Sequence, residues 1–291
     1  AAIERENGLP ATYVSFEEGA EAAVKAARHC GRALLFLGLP ESFEAEGADR
    51  RHMRLPDTQL EIAEAVALAV PDCAVVLTCG APVELPFAEA VRSILLTYLC
   101  GDAAAEALAE LLFGRQNPSG KLAESFPLSL SDTPAFLNFP GDGDECDYAE
   151  DIYIGYRYYE KRGVPVRYPF GHGLSYTSFA YRDLTVSGTA VRFTVKNTGP
   201  CDGFETTQVY AGQNTPKRAL PLKALCGFQK LFLKAGEEKE VEIELSLRPL
   251  EYWDARERRY ILPDGSWTVY VGASSADIRL RGALEIKGDS P

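Results

Sequence analysis

Between residues 39 and 58 the chain gathers Glu41, Glu44, Glu46, Asp49, Arg50, Arg51 and His52. Carboxylates, guanidinium groups and an imidazole at this density suit a polar ligand or proton exchange with one. The same composition also makes an ordinary solvated acidic loop, and composition alone leaves the two readings level. Two features single the stretch out. It connects an expected strand to an expected helix through about 18 residues, where connections in compact folds usually run about 4–6 and long ones tend to be functional. It also leaves the carboxyl end of that strand, the edge at which open α/β sheets bind ligands.

A second group is aromatic. Tyr153-Ile154-Gly155-Tyr156-Arg157-Tyr158-Tyr159 offers rings for packing between domains, the commoner use of such clusters, or for stacking on sugar rings. Other chemistries find no motif. There is no Walker-type P-loop and no G-x-S-x-G nucleophile elbow. Gly171-His172-Gly173 lacks the third glycine and the strand-to-helix setting of a dinucleotide fingerprint. The three histidines, His29, His52 and His172, fall in a helix, a loop and a turn without ligand spacing, so neither a metal nor another cofactor is expected. Seven cysteines form an odd set without a C-x-x-C pair. Cys73 and Cys79 would stand roughly 20 Å apart along one strand, too far to share a metal. The cysteines read as mostly buried apolar residues of a reducing, cytoplasmic setting.

A net charge of −12 and a pI of about 4.9 disfavour nucleic acid and anionic membranes as partners. No apolar run is long enough to span a bilayer, and the start shows no signal-peptide pattern.

The elements that must position these groups change character along the chain. Thr12–Phe16 reads as a short strand or its end, and Ser15 with Glu18 as a capping box before a helix to His29. Residues 33–39, Cys73–Cys79 and Ile94–Leu99 are continuous apolar runs, as in strands buried on both faces of a parallel sheet. Thr58 and Glu61 suggest a second capping box ahead of a helix over Ile62–Val70. Asp102 suggests the cap of a helix to Phe113, with Gly114 just past its end. This alternation predicts an open α/β layer with helices on both faces over residues 1–125. Residues 126–175 form an interdomain region rich in Pro, Gly and Tyr, and Asn117-Pro118-Ser119-Gly120 before it is a turn signal.

From residue 176 to 291 the pattern is all β. Short alternating runs at Val191–Lys196, Gln208–Ala211, Val241–Leu247 and Trp267–Val271, separated by turn signals, predict a two-sheet sandwich. Arg218–Phe232 fits a further strand region, with Leu225 and Phe228 directed at the core.

Read in order, a series of stretches resembles glycoside hydrolase family 3. It opens with Glu44-Ala45-Glu46-Gly47-Ala48-Asp49-Arg50, then Leu55-Pro56 with Gln59, and Cys79-Gly80-Ala81-Pro82-Val83-Glu84. It continues through Leu112-Phe113-Gly114, Asn117-Pro118-Ser119-Gly120-Lys121-Leu122 and Gly155-Tyr156-Arg157-Tyr158-Tyr159. It closes with Pro169 to Thr177, Leu250 to Asp254 and Val271 to Asp277. The resemblance implies the later part of an α/β sandwich domain followed by a fibronectin type III-like domain. It implies a β-glucosidase-type, retaining and exo-acting glycosidase whose nucleophilic aspartate sits on a barrel domain that this chain does not match. It also implies Glu46 as the general acid/base, from the Glu-Gly-x-Asp-Arg pattern, with Glu44 as fallback on the same loop and Asp49 and Arg50 as loop-steadying or substrate-side residues.

The implied partners are a β-linked oligosaccharide or glycoside and the missing barrel, in the same or a separate chain. Glucose is the default glycone, with xylose and N-acetylglucosamine open. An exposed barrel-facing surface favours association, a homodimer being one form of it. Two other readings stand beside the enzyme: a non-catalytic carbohydrate-binding or scaffold fragment, and an interaction module.

Overall fold

The structure is a computed structural model and describes Gly8 and residues 10–288. The chain divides into two units, one of residues 1–115 with 126–133, the other of residues 116–125 with 134–291. The expected interdomain region is therefore shared: 126–133 go with the first unit and 134–175 with the second.

The first unit is built on strands β1 (Ala33–Gly38), β2 (Cys73–Thr78) and β3 (Ser93–Leu96), parallel and in the order β1-β2-β3. Its helices are α1 (Gly19–Cys30), α2 (Asp57–Ala69) and α3 (Ala104–Leu112), and a short strand β4 (Phe126–Pro127) belongs to it as well. Val75, Val76 and Leu77 are buried in succession on β2. Successive side chains point to opposite faces, so neither face of the central strand is open. Helix α2 buries Leu60, Ile62, Ala63, Val66 and Ala67 at helical spacing and packs against α1.

Three local expectations are corrected. Residues 12–15 form no strand: Ser15 is extended but unpaired, and Tyr13 is exposed. Of the capping pattern after it, the Glu18 carboxylate does accept from the Ser15 N–H at 2.8 Å. Helix α2 starts earlier than Thr58 suggested, because Pro56 occupies the cap position and its carbonyl accepts from Gln59 and Leu60 N–H. Pro56 fixes the entry φ, and the helix start makes no side-chain cap bond. Asp102 does not cap α3; Ala103 holds that place and makes no side-chain bond. The cysteines are also less buried than expected. Cys73, Cys79 and Cys226 lie in the core, whereas Cys30, Cys100 and Cys146 fall on a helix end or in loops and are exposed.

The second unit carries α4 (Tyr156–Arg162), β5 (Val166–Tyr168) and nine further strands. β6 (Phe179–Ser187), β7 (Ala190–Asn197) and β10 (Glu238–Glu244) form one sheet, in the order β10-β7-β6. β8 (Gly203–Gln213), β9 (Ala224–Leu233), β13 (Gly265–Gly272) and β14 (Ile278–Ile286) form the other, in the order β14-β13-β8-β9. β11 (Tyr252–Asp254) and β12 (Arg259–Ile261) make a separate hairpin. Alternate residues from both sheets meet in one core: Val191, Phe193 and Val195 of β7, Val241 and Ile243 of β10, Val209 and Ala211 of β8, and Trp267, Val269 and Val271 of β13. That is the sandwich the alternation predicted.

Leu225 and Phe228 are the exceptions: Leu225 alternates with the core residues Ala224 and Cys226 and stays outside the cluster, and Phe228 is 67% exposed. The register between β8 and β9 shifts at Val209/Tyr210, so that Gly227 pairs with Val209 and Leu225 with Tyr210. The extra residue, Cys226, resets the alternation, and Leu231 and Leu233 face the core instead.

Long-range side-chain bonds tie the irregular segments to the sandwich. Asn117–Gly120 forms no turn. The Asn117 side chain is spent elsewhere: its oxygen accepts from Ser175 Oγ and Tyr176 N–H at 2.9 Å, and its amide donates to the Asp202 carbonyl at 3.0 Å. Lys121 donates to the Gly173 carbonyl at 2.7 Å and lies 3.5 Å from the buried Glu205 carboxylate, which also accepts from Tyr181 Oη at 2.7 Å. The tyrosines of α4 serve packing. Tyr156 stacks on Phe170 at 4.8 Å, meets Tyr210 edge-on and accepts from Leu225 N–H at 2.8 Å, and Tyr159 is buried.

His172 stacks on Tyr168 with centroids 5.1 Å apart. Burial first, and then nearby Lys121, hold its imidazole below the usual pKa, with Asp277 opposing. An imidazole kept neutral in the folded chain but protonated when unfolded contributes stability that is whole above the unfolded pKa of about 6.5. That contribution is lost as pH falls toward the folded value. Denaturant titrations at pH 7.5 and 5.5 are therefore expected to show a steeper loss of stability in the native chain than in a His172→Gln variant.

Candidate active site

The loops that follow β1, β2 and β3 leave the same end of the parallel sheet. The longest, residues 39–56, is fixed first at its root. The side-chain amide of Gln59, on the first turn of α2, accepts from the Gly38 N–H and donates to the Gly38 carbonyl, both at 2.9 Å. Beyond Gly38, Leu39 N–H donates to the Thr78 carbonyl at 3.1 Å, and the Pro40 carbonyl accepts from Phe43 and Glu44 N–H at 2.8 and 3.2 Å.

The loop then doubles back. Ala45 and Ala48 form an isolated antiparallel bridge, with Glu46 and Gly47 at the tip between them. Gly47 has φ 78°, the left-handed value that a type II turn requires at its third position and that glycine adopts without strain. Glu46 is thereby raised on a tight turn, and its side chain is exposed. Glu44, two residues earlier, is tied down: its Oε2 accepts from Gly80 N–H at 2.8 Å, in the loop after β2.

Arg50 steadies the same loop, but not by pairing with Asp49, which is exposed. Its Nη2 donates to the Pro82 carbonyl at 3.0 Å, and its Nη1 is buried with no partner among the described residues. His52 meets the Phe43 ring edge-on at 5.7 Å and accepts from Arg54 N–H through Nδ1 at 3.3 Å. Arg54 pairs with Asp57 at 2.7 Å. The Met53 carbonyl accepts from Glu84 N–H at 2.8 Å, and Glu84 in turn accepts from Leu130 N–H at 3.2 Å. Among the described residues, no group of three or more His, Cys, Asp or Glu side chains gathers as a metal site would require.

The sequence pointed to Glu46, Glu44, Asp49 and Arg50, and the structure brings all four onto one short turn and its flanks. Their tasks differ. Glu46 faces solvent, Glu44 and Arg50 bind backbone of the loop after β2, and Asp49 faces solvent. The residues that sequence reasoning left without a role are Gln59, Gly80 and Pro82. A glutamine three residues after a helix-starting proline, on the helix that follows the loop, was the available signal for the first. Nothing local marked the other two as bonding partners. Chemically, the arrangement offers solvent-facing carboxylates on a braced turn, Glu46 at its tip and Asp49 on its flank, of a kind able to give and take a proton.

The comparisons with known proteins agree on where such a chain belongs. Residues 3–176 match the glycosyl hydrolase family 3 C-terminal domain, and residues 205–275 a fibronectin type III-like domain. The chain is 42% identical over 278 residues to thermostable beta-glucosidase B of Acetivibrio thermocellus, covering 93% of this chain and 37% of that protein. It is 41% identical to an exo-alpha-(1->6)-L-arabinopyranosidase of Bifidobacterium longum, covering 92% and 36%. Among solved structures, a GH3 beta-glucosidase of Bifidobacterium adolescentis superposes with a TM-score of 0.92 at 37% identity, covering 99% of this chain and 45% of that one. The chain thus spans a little over a third of the length of these curated relatives.

The root of the loop is open to a direct test. Replacing Gln59 by Leu keeps the bulk but leaves both polar groups of Gly38 without their present partner. An unmade buried hydrogen bond costs about 1–3 kcal/mol, and these two are part-buried, which places the expected loss toward the lower end. Denaturant unfolding followed by circular dichroism is expected to show a loss in that range.

Proposed function

The chain belongs to glycosyl hydrolase family 3, and from that premise we propose that it is the C-terminal portion of a retaining, exo-acting β-glycosidase in which Glu46 is the general acid/base. The observation that carries this reading is the contrast between two carboxylates on one turn. Glu46 is exposed at the tip, while Glu44 is committed to Gly80.

Retaining hydrolysis needs two carboxyl groups about 5–5.5 Å apart across the scissile bond. One, an aspartate on the barrel domain, attacks the anomeric carbon as the bond to the leaving oxygen breaks, and Glu46 gives that oxygen its proton. In the second step Glu46 takes a proton from water. The resulting oxygen nucleophile displaces the aspartate and leaves the sugar with its original anomeric configuration. A carboxylate on a loop tip suits this role, since it must meet leaving groups of different shapes and then admit water. Arg50 and Glu44 brace the loop from behind, so that the tip is placed without being enclosed.

The similarity to a beta-glucosidase and to an arabinopyranosidase at nearly equal identity supports placing the choice of glycone outside this portion.

In the complete enzyme, Glu46→Gln is expected to lower kcat on a glycoside with a poor leaving group by about 10²–10⁴-fold, the usual worth of a general acid. Dinitrophenyl glycosides, which leave without a proton, should lose far less in the first step. An unchanged rate on the poor leaving group would sink the assignment. With an aryl β-glucoside, this chain alone should be silent, and mixing with a separately produced barrel portion should bring activity. Turnover by the chain alone would place a second catalytic carboxylate within these residues. Sugar binding without turnover in either case would favour a carbohydrate-binding or scaffold role.

A further inference from the structure

Among the acidic residues of the loop that proton transfer leaves unused, Glu44 is the one the structure ties to backbone of a neighbouring loop. Its Oε2 accepts from Gly80 N–H at 2.8 Å, which joins the loop after β1 to the loop after β2. Its own N–H donates to the Pro40 carbonyl at 3.2 Å. A side chain at Gly80 would crowd its neighbours: a Cβ would lie 3.0 Å from Glu44 Oε1 and 3.1 Å from Leu99 Cδ1. Leu99 comes from the loop after β3, so a single carboxylate sits where all three loops converge. Only Ala45 separates Glu44 from Glu46, and Ala45 is closed onto Ala48 by the bridge that defines the turn.

We propose that Glu44 is a positioning residue for Glu46, setting the height and tilt of the turn through its hydrogen bond to Gly80. This rests on the reading of Glu46 as acid/base. The bond from a backbone N–H to a carboxylate is charge-assisted and roughly twice as strong as a neutral one. Its loss frees the turn at the residue that anchors it. Misplacement of a reacting group by about 1 Å can cost about 10²-fold in rate.

The test compares Glu44→Ala, Glu44→Gln and Glu46→Ala in the complete enzyme, on a poor-leaving-group glycoside and on a dinitrophenyl glycoside, with and without azide. Azide displaces the enzyme carboxylate from the anomeric carbon to give a glycosyl azide, and so rescues only an enzyme that lacks its acid/base. Glu44→Ala is expected to lose roughly 10–100-fold in kcat on the poor leaving group, to keep most of its rate on the dinitrophenyl glycoside, and to gain nothing from azide. Glu44→Gln, whose amide oxygen can still accept from Gly80, should recover most of the rate. Gly80→Ala, which crowds Glu44 while leaving its charge, should reproduce the leaving-group-dependent loss and serves if Glu44→Ala fails to fold. Azide rescue of Glu44→Ala would make Glu44 itself the acid/base and overturn the proposal. Equal loss on both substrates, or none, would reduce Glu44 to a structural residue. Glu46→Ala without azide rescue would remove the acid/base reading beneath it, a result separate from anything seen at position 44.

Discussion

The bidentate contact between Gln59 and Gly38 is the constraint from which the site hangs. β1 is an edge strand of its sheet. Because Leu39 N–H bonds to Thr78, the peptide groups of Gly38 face away from β2, where an edge strand has no ladder partner. A primary amide carries the same donor and acceptor as a peptide, so Gln59 acts as one residue of an adjoining strand. It pairs the end of β1 and fixes the distance between that end and the start of α2. The 39–56 loop must span that fixed gap. Its slack is taken up in the fold of Pro40 to Glu44 and in the Ala45–Ala48 turn, and not in motion of its ends.

From that root outward, the charged side chains of the loop divide into those bound to backbone and those left to solvent. Glu44 and Arg50 both reach backbone of the loop after β2, at Gly80 and Pro82. These bonds cross between segments far apart in sequence, so loop-closure entropy opposes them. They persist because both donors and acceptors lie at the mouth of a sheet whose spacing is already set by the burial of β2. Glu46 and Asp49 are left to solvent once these bonds are made.

The periodic parts of the fold were legible in the sequence. Continuous apolar runs gave the parallel strands, and alternation gave the sandwich core. What escaped were effects that act across the chain. Asn117 looks like a turn residue, but its amide goes to partners near residues 175 and 202, and no local rule sees that. Phe228 reads as a core residue until the register shift around Cys226 reverses the alternation. Thr58 and Asp102 are good capping residues by type, but the helix starts are set by Pro56 and Ala103. At the proposed site, the family pattern pointed to Glu46, while the tethering of Glu44 depended on a backbone N–H 36 residues away.

The order in which the two units use the chain sets how this portion can be taken apart. The backbone passes from the first unit to the second after Arg115, returns at Phe126, and leaves again after Thr133. Neither unit is a cassette that a single cut releases. A break before residue 116 leaves Phe126–Thr133 docked through the buried Phe126 and the Glu84–Leu130 bond. A break after residue 133 leaves Lys121 held against Glu205. Recombination among relatives is therefore expected to inherit both units together, and a proteolytic nick would yield fragments that stay associated and run apart only under denaturing conditions.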